Sequence, residues 1–393
     1  MRAPSTDGSP VGSPPAGVAP LSSDGRPTTA KIDLDALSHN YSEVTRRIDG
    51  RKVLAVVKAR AYGHGAVPVG RRLVALGAHM LGVALVEEGA ELRAAGITAP
   101  VLVMGPVFPE QAGALVSLRL TPVLFTLPLA RALSQAASGI GGTVRVHVKV
   151  DTGMGRIGVT PEDALPFITE AARLPGIEVE GLMTHFADAD LRDKHFAAVQ
   201  LDRFESLMHA LEEEGIRIPL RHAANSAAVL EYGRAFLTMV RPGLMLYGYD
   251  PLEGGSGADL RPVLSLTTRV ALVKRVSAGT PVSYGRTFVT RRESLIATIP
   301  VGYADGYSRA LSNRGEAIVR GRRVPVAGRV CMDMTMLDVT DVPGVAEGDE
   351  VVLIGAAGGE RITAADLAAS TGTIAYEVLC GISARVPRIV LSS

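Results

Sequence analysis

The apolar run Val53-Leu54-Ala55-Val56-Val57 ends in Lys58, followed by Tyr62 and a Gly63-His64-Gly65 corner. A lone lysine at a strand end is most often a solvated cap. One delivered by a buried run to a glycine-rich turn is also placed to act as a nucleophile or base, if burial and neighbouring cations lower its pKa from ~10.4. Other apolar runs end in chemistry-bearing residues too. Lys149 closes VRVHVKV and precedes DTGMGRIG, which carries Arg156. His185 follows EVEGLMT, Asn225 and Ser226 follow His222, and Arg241-Pro242-Gly243 follows TMV. The set contains a reactive-amine candidate, several cations and donors, and a Ser–Gly group suited to an anion. Ser226 is placed to open a helix, whose N–H groups favour such an anion.

The segments that must position these groups alternate in type. Apolar strands are expected near 53–57, 81–85, 101–104, 122–125, 144–150, 178–184, 221–224 and 238–242, with helical patterns such as 86–95 and 193–214 between them. Before them, Leu34, Leu37, Tyr41, Val44 and Ile48 fall on one helical face, with Asp33 as N-cap. Eight strands with helical crossovers in about 200 residues predict a (β/α)₈ barrel, whose active site lies at the C-terminal strand ends. Near residue 260 the pattern becomes strands separated by Gly, Asp and Pro turns, with one short helix at 363–370, so a second, mostly β domain is expected. The expected division is a disordered tail over 1–27, the barrel over 28–262 and the β domain over 263–393. A lysine at a barrel mouth, together with an anion cradle after the last two strands, suits pyridoxal phosphate. Its aldehyde condenses with a lysine amine, its phosphate needs donors and its ring nitrogen needs a partner.

Composition narrows the partners. In 393 residues, 41 Lys+Arg balance 40 Asp+Glu and Trp is absent, which argues against nucleic acid. No apolar stretch reaches the ~18–20 residues of a membrane helix. The two cysteines, Cys331 and Cys380, form neither a disulfide framework nor a metal-ligating spacing, and read as reduced thiols of a cytoplasmic protein. The Pro/Ser/Gly-rich N-terminus lacks the apolar core of a secretion signal. Gly63-His64-Gly65 is not a dinucleotide loop, because the third glycine of that motif would fall at Pro68.

Nine stretches, VVKARAYGHG, HVKVDTGMGRIG, THFADAD, HAANSAA, VRPGLMLYGYD, PVSYGRTF, GYADGYSR, GRVCMDM and AYEVLCGISARVPR, occur in this order from about residue 31 to the end. Together they resemble alanine racemase. The resemblance implies a pyridoxal-phosphate isomerase of the barrel-plus-β-domain type, active as a homodimer with shared active sites and supplying D-alanine for peptidoglycan. It makes Lys58 the cofactor-bound lysine and one base, and Tyr284 the second base. Tyr62, Ser226, the Gly243–Leu244 backbone and Tyr376 would hold the cofactor phosphate, and Asn225 would also bind the cofactor. Arg241 would face the ring nitrogen with His185 behind it, and Arg156 the ring hydroxyl and substrate. Tyr284, Met332 and Asp333 would come from the partner subunit, while Asp190, Tyr303 and Arg309 would line the substrate entrance. His64, His147 and His222 read as structural.

Racemisation removes a proton from one face of Cα and returns one to the other, so two bases are expected. An arginine at the ring nitrogen has no acceptor for a ring proton, which would leave that nitrogen unprotonated. Lys149, sharing a strand face with Arg145 and His147, would sit as a like charge near Arg156. The resemblance implies carbamylation of Lys149 by CO₂ as the remedy. Arg60 departs from the family, which has Asn or Asp two residues after the reactive lysine. A serine-preferring or broad-specificity racemase shares the architecture. A decarboxylase would depart from Tyr284 and the RVPR ending, and a non-catalytic cofactor carrier would need neither Tyr284 nor the β domain.

Overall fold

The computed structural model describes residues 25–392, so the expected disordered tail lies almost wholly outside the described residues. In chain order the first nine strands are β1 (Thr29–Asp33), β2 (Lys52–Val56), β3 (Met80–Val83), β4 (Val101–Val103), β5 (Thr121–Leu124), β6 (Val144–Lys149), β7 (Ile177–Met183), β8 (Leu220–His222) and β9 (Met239–Val240). Strands β2 to β9 make one parallel sheet in the order β8-β7-β6-β5-β4-β3-β2-β9. The gap between its two ends is bridged where Thr238 N donates to Arg221 O (3.1 Å) and Arg241 N to Ala224 O (2.9 Å). The result is the expected eight-stranded barrel.

Strands β3, β4 and β5 are buried at every position, as a parallel sheet covered by helices requires. The covering crossovers include Ala66–Ala75, Val86–Ala94, Leu127–Gly139, Pro161–Arg173 and His195–Glu213. The helix Leu34–Arg47 buries Leu37, Tyr41 and Val44, and Asp33 caps it by accepting from Asp35 N (2.9 Å) and Ala36 N (2.8 Å).

The remaining strands are β10 (Leu264–Arg269), β11 (Leu272–Val276), β12 (Pro281–Val282), β13 (Phe288–Val289), β14 (Ser294–Ile299), β15 (Glu316–Val319), β16 (Arg322–Pro325), β17 (Thr335–Asp338), β18 (Glu350–Ala357), β19 (Glu360–Ile362) and β20 (Arg388–Leu391). The main sheet runs β16-β15-β18-β10-β1-β20, with a separate β11-β14-β17 sheet and a β12-β13 hairpin. Two points differ from the sequence expectation. Strand β1 precedes the barrel yet pairs antiparallel with β10 and parallel with β20, so the chain's first strand belongs to the second sheet. Its five residues alternate half-buried and buried, a weak signal beside the helix pattern that follows. The β region also carries two helices rather than one, Ala364–Thr371 and Ala375–Gly381. No helix among the described residues is long and apolar enough to cross a membrane.

A buried asparagine ties the first helix to the segment that leaves the barrel. Asn40 donates to Leu246 O (3.0 Å) and Arg261 O (2.8 Å) and accepts from Arg261 N (2.8 Å). Asn40→Leu removes all three partners at a fully buried position. The expected loss is on the order of 3 kcal/mol, measured by denaturant unfolding against wild type.

Candidate active site

Strand β2 delivers Lys58 to the barrel mouth, and the four residues after it do something the sequence does not announce. Ala59, Arg60, Ala61 and Tyr62 all have positive φ, between 52° and 54°. A left-handed turn of side-chain-bearing residues costs roughly 1–2 kcal/mol per residue, so its surroundings must hold it. Glu88 accepts from Ala59 N (2.6 Å) through one oxygen and from Ala84 N (2.7 Å) through the other. Buried His64 lies 2.9 Å through Nδ1 from both Ala61 O and Tyr62 O, so Nδ1 carries the proton. Burial pushes His64 down to about 4, which keeps it neutral. Arg388 Nε, at the start of β20, donates to Gly63 O (2.9 Å). The turn points the Tyr62 ring back over the mouth, where it packs on Tyr247 and Tyr376 at centroid distances of 4.8 and 5.7 Å. It leaves Arg60 on the surface.

The mouth encloses a cavity of about 410 Å³, within the size range of small-molecule sites. Its wall brings together Lys58, Tyr62, Lys149, Arg156, His185, Asn225, Ser226, Arg241, Gly243, Leu244 and Tyr376: Lys149 and every cofactor residue expected from the sequence, with Tyr376 coming from the β domain. Four of these are cationic types and no carboxylate lines the cavity. Desolvation, followed by the charge of Arg156, lowers the Lys58 amine. Burial, then Arg241, push Lys149 down to about 8. Its Nζ donates to Val150 O (2.8 Å). Arg241 is pushed down to about 9, chiefly by burial, and still carries its charge near neutrality.

At one end, Ser226 Oγ accepts from Gly243 N (2.8 Å) and Met245 N (3.3 Å), so two backbone donors converge there. Asn225 caps the helix Ser226–Glu231 by accepting from Ala228 N (3.0 Å). A Cβ at position 243 would lie 2.6 Å from Tyr62 Oη, so the hydroxyl closes over bare backbone. At the other end Arg241 donates to Thr184 O (2.8 Å) and Ala223 O (2.9 Å) and lies 3.0 Å from His222 Nδ1 and 3.2 Å from His185 Nδ1. Both histidines are held well below the usual imidazole range by burial and then by Arg241, so both accept. A phosphate-bearing aldehyde fits this set: donors at one end, a lowered amine on the wall and a guanidinium at the far end.

Both parts of the chain match known proteins. Residues 32–251 match the family model of the alanine racemase N-terminal domain, and 263–390 that of the alanine racemase C-terminal domain. The chain belongs to the alanine racemase family. It is 49% identical over 365 residues to the alanine racemase of Halothermothrix orenii, covering 92% of this chain and 96% of that one. It is 50% identical over 369 residues to alanine racemase 2 of Caldanaerobacter subterraneus, covering 93% and 95%. Among solved structures, alanine racemase of Clostridium difficile 630 superposes with a TM-score of 0.90 at 37% identity, covering 93% of this chain and 96% of that one. Alanine racemase from Bacillus anthracis with bound L-Ala-P gives 0.88 at 37% identity, covering 95% and 97%.

In this racemase-family chain the remaining predicted residues other than Asp190 lie on the β domain, outside the cavity wall. Tyr284 is 70% exposed and Met332 53%. Ser283 Oγ, beside Tyr284, donates to Arg329 O (2.6 Å), and Tyr303 N and Ala304 N donate to Cys331 O and Met332 O (both 3.0 Å). Asp333 is paired with Arg385 (2.8 Å), and Arg309 is exposed on a nearby turn. One chain thus carries the cavity and the Tyr284 group at separate places. Asp190 stands on the barrel side, where its charge helps burial raise Tyr376 to about 12. His222, read from the sequence as structural, touches Arg241 directly; its one sequence signal is its position just before Asn225 and Ser226.

Arg156 lowers Lys58, so Arg156→Met raises the Lys58 pKa. The pH profile of Lys58 labelling by an amine-selective reagent, read by peptide mass spectrometry, shifts to higher pH in the variant.

Proposed function

We propose that the chain interconverts L- and D-alanine with pyridoxal phosphate held at the barrel mouth, in a dimer whose second copy supplies Tyr284. The observation that carries this reading is the Lys58 amine, half-buried among Arg156, Arg241 and Lys149, beside an end where Ser226, two backbone N–H groups and Tyr62 converge. When bound, pyridoxal phosphate supplies an electron-withdrawing ring that acidifies the Cα–H of an amino acid joined to it. The protein's own residues do the rest. The Ser226 hydroxyl, whose oxygen accepts from Gly243 N and Met245 N, donates to the phosphate with the Tyr62 and Tyr376 hydroxyls, and the Gly243–Leu244 backbone lies against it. Arg241 faces the ring nitrogen as a donor with no acceptor, and His185 supports it. Arg156 orients the ring hydroxyl and the substrate carboxylate.

Lys58 Nζ holds or releases a proton on one face of Cα. Tyr284 Oη of the second copy does so on the other, with Met332 and Asp333 of that copy enclosing the substrate. This accounts for a base that stands exposed and outside the cavity wall of its own chain. Asp190, Tyr303 and Arg309 line the entrance. Lys149, with a pKa lowered to about 8, has a larger free-amine fraction near neutrality than an ordinary lysine; the Nζ of that fraction adds to CO₂ and loses a proton, and the carbamate anion formed then faces Arg156. The D-alanine produced serves peptidoglycan synthesis.

Purified protein is expected to be yellow and to convert L-alanine to D-alanine faster than any other amino acid in a chiral panel. Lys58→Ala loses the colour and the activity. Tyr284→Phe keeps the colour and loses about 10²- to 10⁴-fold in kcat, the usual contribution of a positioned base. A cofactor-loaded wild type that forms no D-alanine overturns the reading, and a preference for serine redirects it to a serine racemase.

A further inference from the structure

The Arg241 guanidinium is 4% exposed, and its four polar partners are two carbonyls and two imidazoles; none is a carboxylate. One of those imidazoles continues inward. His222 Nε2 lies 2.8 Å from His147 Nδ1, and His147 Nε2 lies 3.3 Å from Glu180 Oε1. Both rings are fully buried. The chain of contacts has only one consistent set of protons. A guanidinium can only donate, so His222 Nδ1 accepts. Neutral His222 then carries its proton on Nε2 and donates to His147 Nδ1. His147 in turn carries its proton on Nε2 and donates to the carboxylate.

The backbone is remodelled for this contact. The β6–β7 register shifts between Val146 and His147: Val146 opposes Val179 and His147 opposes Gly181, leaving Glu180 as an extra, bulged residue. A bulge re-aims a side chain out of the regular alternation. The next residue is a glycine, and a Cβ there would overlap the His147 ring. Bulge and glycine together let Glu180 reach the imidazole while its other oxygen faces Arg145 Nε at 3.6 Å.

We propose that Glu180 is a positioning residue for the cavity: through His147 and His222, held in one proton arrangement, it fixes the guanidinium of Arg241 from the far side of the barrel interior. The relay itself is independent of the reaction assigned above, and only its kinetic consequence rests on that assignment.

The test is imidazole ¹⁵N NMR of the holoenzyme labelled at histidine, with His147 and His222 signals assigned by their loss in His147→Phe and His222→Phe. Both rings are expected to be neutral, protonated at Nε2 and bare at Nδ1. Glu180→Leu removes the terminal acceptor. Donation from His222 keeps His147 protonated at Nε2, but that N–H loses its carboxylate partner, so its ¹⁵N signal moves upfield, and kcat for alanine falls about tenfold with KM within about twofold. Glu180→Gln restores an acceptor oxygen and returns the His147 Nε2 signal toward its wild-type position together with most of kcat. Either ring protonated at Nδ1 or doubly protonated in wild type overturns the proposal. So does a Glu180→Leu protein with an unchanged His147 Nε2 signal and unchanged kcat. If Glu180→Leu does not fold, the wild-type spectrum alone decides. If the protein proves not to racemise alanine, the spectra still read the relay.

Discussion

The constraint on which the site depends is the crowding of four cationic residues, two of them buried, around one cavity with no carboxylate on its wall. Lys58, Lys149, Arg156 and Arg241 share a space of about 410 Å³. Desolvation and mutual repulsion disfavour the charged amines. The two lysines yield, because an ammonium can lose its proton; the arginines do not. The cavity therefore sorts its basic groups into lowered amines, which can do chemistry, and fixed guanidinium groups, which orient. An anion held by the donors at one end offsets the same repulsion, so the crowding that lowers the amines also suits the cavity to a phosphate.

Holding this arrangement takes both parts of the chain. The barrel strands set the height of each side chain, but the four-residue left-handed turn after Lys58 is held in part from outside the barrel, by Arg388 on Gly63 O. Tyr376, on the helix Ala375–Gly381, closes the cavity beside Tyr62. Strand β1, placed first in the chain, inserts between β10 and β20 and ties the start of the barrel to the end of the molecule. The β domain is thus a structural partner of the cavity, apart from any role of its exposed Tyr284 surface.

Much of this was legible in the sequence, for physical reasons that differ by residue. Buried parallel strands are near-continuous apolar runs, so the eight barrel strands and the polar residues at their ends could be read directly, and Lys58, Lys149, Ser226 and Arg241 with them. Residues whose role depends on a neighbour were not readable that way. His147 and His222 look like core histidines until Arg241 is placed against one and Glu180 against the other. Glu88 acts through two backbone amides that only the fold brings together. The left-handed turn runs through Ala-Arg-Ala-Tyr, where no glycine marks it, because tertiary contacts and not local preference hold it. Arg60, a departure from the family at the sequence level, turns out to face solvent.

The central claim is that Lys58 is the amine that carries the cofactor. Borohydride reduction of the holoenzyme, followed by peptide mass spectrometry, tests it most directly. The account predicts a stoichiometric pyridoxyl adduct on the peptide containing Lys58. An adduct on Lys149 or any other lysine, or none at all on a protein that retains pyridoxal phosphate, would contradict it.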